Sequence, residues 1–359
     1  MKKLWIYAAV AVSLFSCSND NLSDLNDVNQ VSELSISTSV LSHTAKSKAV
    51  FTTNNGDDFY TGPVMAEELA SNSNIGVSVF NAGTSTLYTT ANNGSAENLK
   101  WNNTNGWTYI GADGSALKFF LGSAKADLYA YFPYTNTNYN LTAIPVQAGY
   151  TDFMYGVAKE NGSINSSNKN ASILLNHGLA MISFTFTKGA GYTGDCDLQS
   201  ITVKNTPLAG TMNVKDGAIS AGVQKTNIHI ASFADGAYTP SNINEAVTGA
   251  DWSDWSGISF KESALGKPDM TNKVAGQFHA MVLPVGFNSG IQNDDSYFTV
   301  KIDDIVYDIA FKQGTGNAIK WDAGKNHTYN LTLNGGNELV ITSVTINPWG
   351  EGEGGDIEI

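Results

Sequence analysis

At 359 residues, with 42% hydrophobic and 15% charged side chains, the chain carries enough apolar material for two cores of roughly 150 residues each, and is neither disordered nor membrane-spanning. A formal charge of −13 excludes nucleic acid and anionic bilayer surfaces as partners, because both reward clustered positive charge. All twenty basic residues are lysine, so a partner or protease that demands a guanidinium finds nothing to grip.

Lys2 and Lys3 followed by the apolar run Leu4 to Phe15 form a secretory signal, too short to remain as a membrane helix. Leu14-Phe15-Ser16-Cys17 resembles a bacterial lipobox, with a bulkier residue than usual at Phe15. The expectation is a signal peptide over 1–17, lipidation at Cys17 and an outer-membrane lipoprotein precursor; the alternative is a plain signal peptide cleaved nearby. Several acyl chains at roughly 0.8 kcal/mol per buried methylene anchor stably where one would not. Residues 18–32 are polar and acidic and read as a flexible tether.

Glu33 to Val50, ELSISTSVLSHTAKSKAV, alternates Leu34, Ile36, Thr38 and Val40 on one face, the period of a half-buried strand. Lys46 and Lys48 follow in a Ser/Thr/Ala setting. A first body is expected over 33–165, with strands at Ile75 to Phe80, Leu87 to Thr90, Trp107 to Ile110, Leu117 to Phe120 and Leu128 to Phe132. Asn93-Gly94, Asn105-Gly106 and Asp113-Gly114 supply turns between them. Pro133 should end the strand before it.

The polar segment 159–170, KENGSINSSNKN, reads as a linker, which places a second body over 166–359. Its strands are expected at Ile173 to Leu175, Leu179 to Phe186, Ile201 to Lys204, Gly210 to Val214, Ile228 to Phe233, Gln277 to Leu283, Tyr297 to Ile302, Ile305 to Phe311 and Thr328 to Leu333. Asp303-Asp304 joins the two cleanest alternating runs into a hairpin. The last element, Glu338 to Trp349, has apolar residues of both parities, which requires a strand covered on both faces or a bulge near Thr342-Ser343. The many turns and 35 glycines make the chain all-β.

No constellation of catalytic residues or metal ligands emerges, and no cofactor is expected. The paired carboxylates Asp57-Asp58, Asp294-Asp295 and Asp303-Asp304 point to opposite faces of a strand and read as turn residues. The five histidines are scattered without metal-ligand spacing. Cys196, left without an internal disulfide partner, lies between two aspartates that discourage a thiolate. Trp252 and Trp255, with their neighbouring acids, form the one stretch suited to stack against a sugar.

LYAYFPY at Leu128 to Tyr134, QAGYTDFMYG at Gln147 to Gly156, LLNHGLAMISFTF at Leu174 to Phe186, ITVKNTPLAGTMNVKDG at Ile201 to Gly217 and AGKNHTYNLTL at Ala323 to Leu333 follow one another in order. With the lipobox and Trp349, they resemble the fimbrillin family of pilins and lipoproteins from Bacteroides-like bacteria. The resemblance implies two tandem transthyretin-like β-sandwiches in a lipid-anchored precursor that a trypsin-like surface protease cuts after a basic residue. By position, Leu34 to Leu41 would be the removable strand and Lys46 or Lys48 the cut site, a departure from the arginine of familiar members. A strand carrying Leu339, Ile341, Val344 and Ile346 would then be donated to the next pilin subunit, so that a fimbrium grows and adheres to a host or bacterial surface ligand. Two alternatives stand beside this: both terminal strands belong permanently to their own sandwiches, or the chain is an anchored glycan-binding lipoprotein using Trp252 and Trp255.

Overall fold

The computed structural model describes residues 31–41, 52–53, 68–69, 71–90, 93–149, 151–189, 191–194, 198–234, 237–239, 258–259, 274–286, 294–311, 319–348 and 356–358. Every regular element among the described residues is a β-strand, so the chain is all-β. The first twelve are Ser32–Glu33 (β1), Ser35–Val40 (β2), Thr52–Thr53 (β3), Asn74–Asn81 (β4), Leu99–Asn103 (β5), Trp107–Ile110 (β6), Ala116–Leu117 (β7), Phe120–Leu121 (β8), Ala126–Phe132 (β9), Ile144–Gln147 (β10), Met154–Ala158 (β11) and Asn170–His177 (β12).

Eight of these build one sheet in the order β2-β12-β11-β9-β4-β5-β6-β7. Ile75, Val77 and Val79 of β4, Leu128 and Ala130 of β9, and Ala171, Ile173 and Leu175 of β12 turn inward at alternate positions into one core. Gly76 sits where β4 meets β9, and a Cβ there would lie 2.1 Å from the Tyr131 ring. Its missing side chain is what lets Tyr131 lie flat on the neighbouring strand.

Segment 159–170 is not a linker. It closes the hairpin from β11 to β12, and the Asn165 carboxamide oxygen accepts from the backbone N–H groups of Ser167 and Asn168, both at 2.9 Å. Short polar side chains that satisfy their own backbone give a tight turn the same composition as a tether. The boundary expected at 165/166 therefore shifts: β12 belongs to the first sheet, and the chain passes to the second body after His177. Leu87 to Thr90 forms a single bridge from Leu87 to Phe80 rather than a strand. Leu117 to Phe120 splits between β7 and β8, which belong to different sheets.

The second body contains Ala180–Lys188 (β13), Leu198–Pro207 (β14), Ala209–Met212 (β15), Ile219–Ala221 (β16), Lys225–Ala234 (β17), Ala237–Thr239 (β18), Ile258–Ser259 (β19), Val274–Val282 (β20), Tyr297–Ile302 (β21), Ile305–Ala310 (β22), Lys325–Asn334 (β23), Glu338–Pro348 (β24) and Asp356–Glu358 (β25). One sheet runs β20-β13-β23-β24-β25 and the other β18-β17-β14-β21-β22. Phe184 of β13 meets Phe298 of β21 at 5.0 Å between ring centroids, and Phe311 meets Tyr329 of β23 at 4.8 Å, so the core lies between the two sheets. The β21–β22 hairpin turns at Asp303 and Asp304, both with positive φ, as a two-residue turn of this hand requires.

The two bodies share main-chain bonds. β10, from the first body, pairs with β15 over four positions. Gly149 and Met281 exchange both backbone hydrogen bonds at 2.7 and 2.8 Å. Beside them the His177 Nδ1 lies 3.0 and 3.2 Å from the two carboxylate oxygens of Asp152, and both side chains are buried.

Candidate functional site

The first sheet curls until its ends approach, and the N-terminal strand occupies the place where they meet. Residues 32–33 pair antiparallel with β8, while residues 35–40 pair parallel with β12 over six positions. Between these, the Leu34 N–H donates to the Phe119 carbonyl at 2.8 Å, where the ribbon crosses from one edge to the other. Serine and threonine at every second position suit this placement: the outward face meets water while Leu34, Ile36 and Val40, 3%, 7% and 4% exposed, enter the core.

Thr38, the fourth inward residue, is only half-buried, and its position is polar for a reason. The Trp107 indole Nε1–H donates to its hydroxyl oxygen at 3.1 Å. This bond ties β2 to β6, near the opposite end of the same sheet. At the start of the ribbon Lys118 Nζ lies 2.7 Å from Glu33 Oε2, an exposed ion pair of little net strength but definite position.

Next to the ribbon lies a cleft of about 260 Å³ lined by Ser35, Trp101, Trp107, Tyr109, Leu117 and Lys169, among others. Burial raises the Tyr109 phenol above its ordinary value, with Tyr134 adding to the effect, so it stays a neutral donor.

The C-terminal strand shows how the mixed parity of Leu339, Ile341, Val344 and Ile346 resolves. β24 pairs with β23 over ten positions, with a register shift that leaves Thr342 unmatched. That bulge returns all four apolar residues to the face opposite Leu333, Leu331, Tyr329 and His327. Leu339 and Val344 are buried, and Ile341 and Ile346 pack against the same core from partly exposed positions. The outer edge of β24 pairs with β25 at Ser343, Val344 and Thr345.

Leu34, Ile36, Thr38 and Val40 are therefore brought together in one seat, and Leu339, Ile341, Val344 and Ile346 in another. Cys17, Lys46, Lys48, Cys196, Trp252 and Trp255 lie outside the described residues. Sequence reading missed Trp107 and Lys118, the two side chains that hold the ribbon. The only available signal was an unexplained hydroxyl at Thr38 within an apolar alternation, which calls for a buried donor.

A fimbrillin-like family model matches residues 61–349. Among solved structures, a candidate cell adhesion protein from Bacteroides uniformis is 14% identical, with a TM-score of 0.52 over 89% of this chain and 100% of that one. Another from Bacteroides ovatus is 16% identical, with a TM-score of 0.53 over 89% of this chain and 98% of that one. At these identities the likeness is one of fold. No curated protein matches the chain.

Proposed function

Because this chain belongs to the fimbrillin-like family, we propose that it is a cell-surface fimbrial subunit, a stalk or tip component, assembled by strand exchange for adhesion. The observation that carries the reading is the N-terminal ribbon, which packs three buried apolar residues into the first core from the edge of a sheet. Exported and anchored through Cys17, the precursor keeps this ribbon until a trypsin-like protease cuts at Lys46 or Lys48. The vacated groove then receives a terminal strand, Leu339 to Ile346, from another subunit.

The energetics favour a strand held by its tether. Burying Leu34, Ile36 and Val40 contributes about 1.5–3 kcal/mol each. Ordering the backbone of the ribbon costs about 1–2 kcal/mol per residue, which over its length matches or exceeds that gain, so the ribbon stays only with the help of its main-chain pairing and its tether. While the ribbon is covalently attached, its effective concentration at the groove is on the order of millimolar. A cut removes this advantage, and a ribbon that was secure becomes a weak ligand. Exchange for another strand restores the main-chain pairing of the open edge without any nucleotide.

The test uses the full-length protein treated with a lysine-accepting trypsin-like protease. A discrete cut within 46–48 followed by loss of the N-terminal fragment and growth of oligomers on size exclusion supports the reading. An uncut chain, or a trimmed form that stays monomeric at high concentration, contradicts it.

A further inference from the structure

On the strand-exchange reading above, we infer that the vacated groove admits Glu338–Thr345 of a second copy of this chain in one register, which Lys118 and Trp107 set. The resident segment is Glu33-Leu-Ser-Ile-Ser-Thr-Ser-Val40, and the terminal one is Glu338-Leu-Val-Ile-Thr-Ser-Val-Thr345. Laid side by side without a gap, both begin Glu-Leu, both have Ile in the fourth place, and both have hydroxyl residues in the fifth and sixth.

The likeness becomes physical through the bulge. In its own sandwich the terminal strand is kinked at Thr342, so Leu339, Ile341, Val344 and Ile346 share the core face. Drawn out straight, the same segment presents Leu339, Ile341, Ser343 and Thr345 on one face. That order matches Leu34, Ile36, Thr38 and Val40: two apolar residues, a hydroxyl, then a residue of valine shape. One sequence thus fits two different seats, with the bulge selecting between them.

The groove contains a partner for each polar feature. Ser343 stands where Thr38 accepts from Trp107 Nε1, and Glu338 stands where Glu33 meets Lys118. At home the Ser343 hydroxyl accepts from Asn330 Nδ2 at 2.9 Å, so it keeps a donor in either seat. Val340 takes the place of Ser35, which lines the cleft beside Trp101, Trp107 and Leu117. A strand moved forward by one residue would turn Val340, Thr342, Val344 and Ile346 inward, an equally apolar set, but would leave Trp107 Nε1 facing Val344 and Lys118 facing Leu339; one moved forward by two would bury Ser343 in the place of Ile36, so it is the two polar partners that set the register.

The probe is a synthetic peptide of residues 336–347, titrated against protease-trimmed protein and followed by tryptophan fluorescence. Wild-type peptide should bind, and Ser343→Val should weaken it about fivefold, the scale of one net hydrogen bond. Trp107→Phe should weaken the wild-type peptide similarly but leave the Ser343→Val peptide unaffected. The exposed Lys118–Glu338 pair should give a smaller effect, about threefold, with Lys118→Glu restoring the Glu338→Lys peptide. Peptide variants leave the protein untouched, so a misfolded Trp107→Phe chain would not obscure the result. Equal binding by all peptides, or no peptide binding by protein that self-associates, overturns the register while leaving strand exchange in place. Trimmed wild-type protein that neither self-associates nor binds peptide defeats strand exchange and this inference together.

Discussion

Two side chains show how a single polar atom is placed inside an otherwise apolar alternation. Thr38 occupies an inward position of β2 and is satisfied by Trp107 Nε1. Thr38→Val keeps the shape and removes the acceptor, and should lower stability by about 1 kcal/mol. The N-terminal ribbon should also be released faster during limited proteolysis, measured as fragment loss over time. His327, 0% exposed and facing Ile346 across the β23–β24 ladder, is held neutral. Its Nε2 accepts the Asp322 backbone N–H at 3.1 Å, which puts its proton on Nδ1. Burial drives its pKa down from 6.5 to about 4, with nearby Asp322 pulling the other way. Unfolded chains take up the proton as pH falls through 6.5, whereas the folded chain does not until about 4. Stability is therefore full above pH 6.5 and declines towards pH 4, by about 3 kcal/mol. Urea unfolding at pH 7, 5.5 and 4 should show that decline, and His327→Phe should flatten its slope.

At the scale of elements, β24 is the strand whose sequence conflicts with simple alternation and whose structure resolves the conflict. Deleting Thr342 removes the unmatched residue and leaves Leu339, Ile341, Val344 and Ile346 on one face of a regular strand. The loss is then the bond from Thr342 Oγ1 to the Asn330 carbonyl, 3.1 Å long, and the cost should be about 1 kcal/mol. Deleting Val340 instead throws Leu339 off the core face and should cost about 3 kcal/mol. Calorimetry of the two deletions separates a tolerated bulge from a required one. The hairpin at Asp303-Asp304 was readable because both flanking runs keep strict alternation. β5, β10 and β11 were not: Asn102 and Asn103, Pro145 and Gly156 interrupt their apolar pattern. Each is tolerated through its surroundings, since Pro145 lies in β10, at the edge of a three-stranded sheet, and a Cβ on Gly156 would stand 2.7 Å from the Leu174 carbonyl oxygen.

At the scale of the whole molecule, the two bodies are joined by β-pairing as well as by sequence. With β10 paired to β15 and Gly149 bridged to Met281, the first body cannot unfold without stripping the second. Differential scanning calorimetry should show one transition with calorimetric and van't Hoff enthalpies in agreement; two separated transitions would refute this coupling. Asp152→Ala, which leaves a buried imidazole without its carboxylate, should lower stability by about 3 kcal/mol. It should lower the melting of both bodies together.

Local chemistry alone determined the all-β class, most of the long strands, the hairpin at Asp303, the need for a bulge near Thr342 and the amphipathic character of the N-terminal ribbon. These follow from alternation, turn residues and composition, which act over a few neighbouring positions. Only the tertiary structure decided that β12 joins the first sheet, that segment 141–153 reaches into the second body, and that Trp107 and Lys118 grip the ribbon. Those facts depend on which edges meet after the sheet has curled, and residues 69 and 85 positions apart leave no periodic trace of their contact.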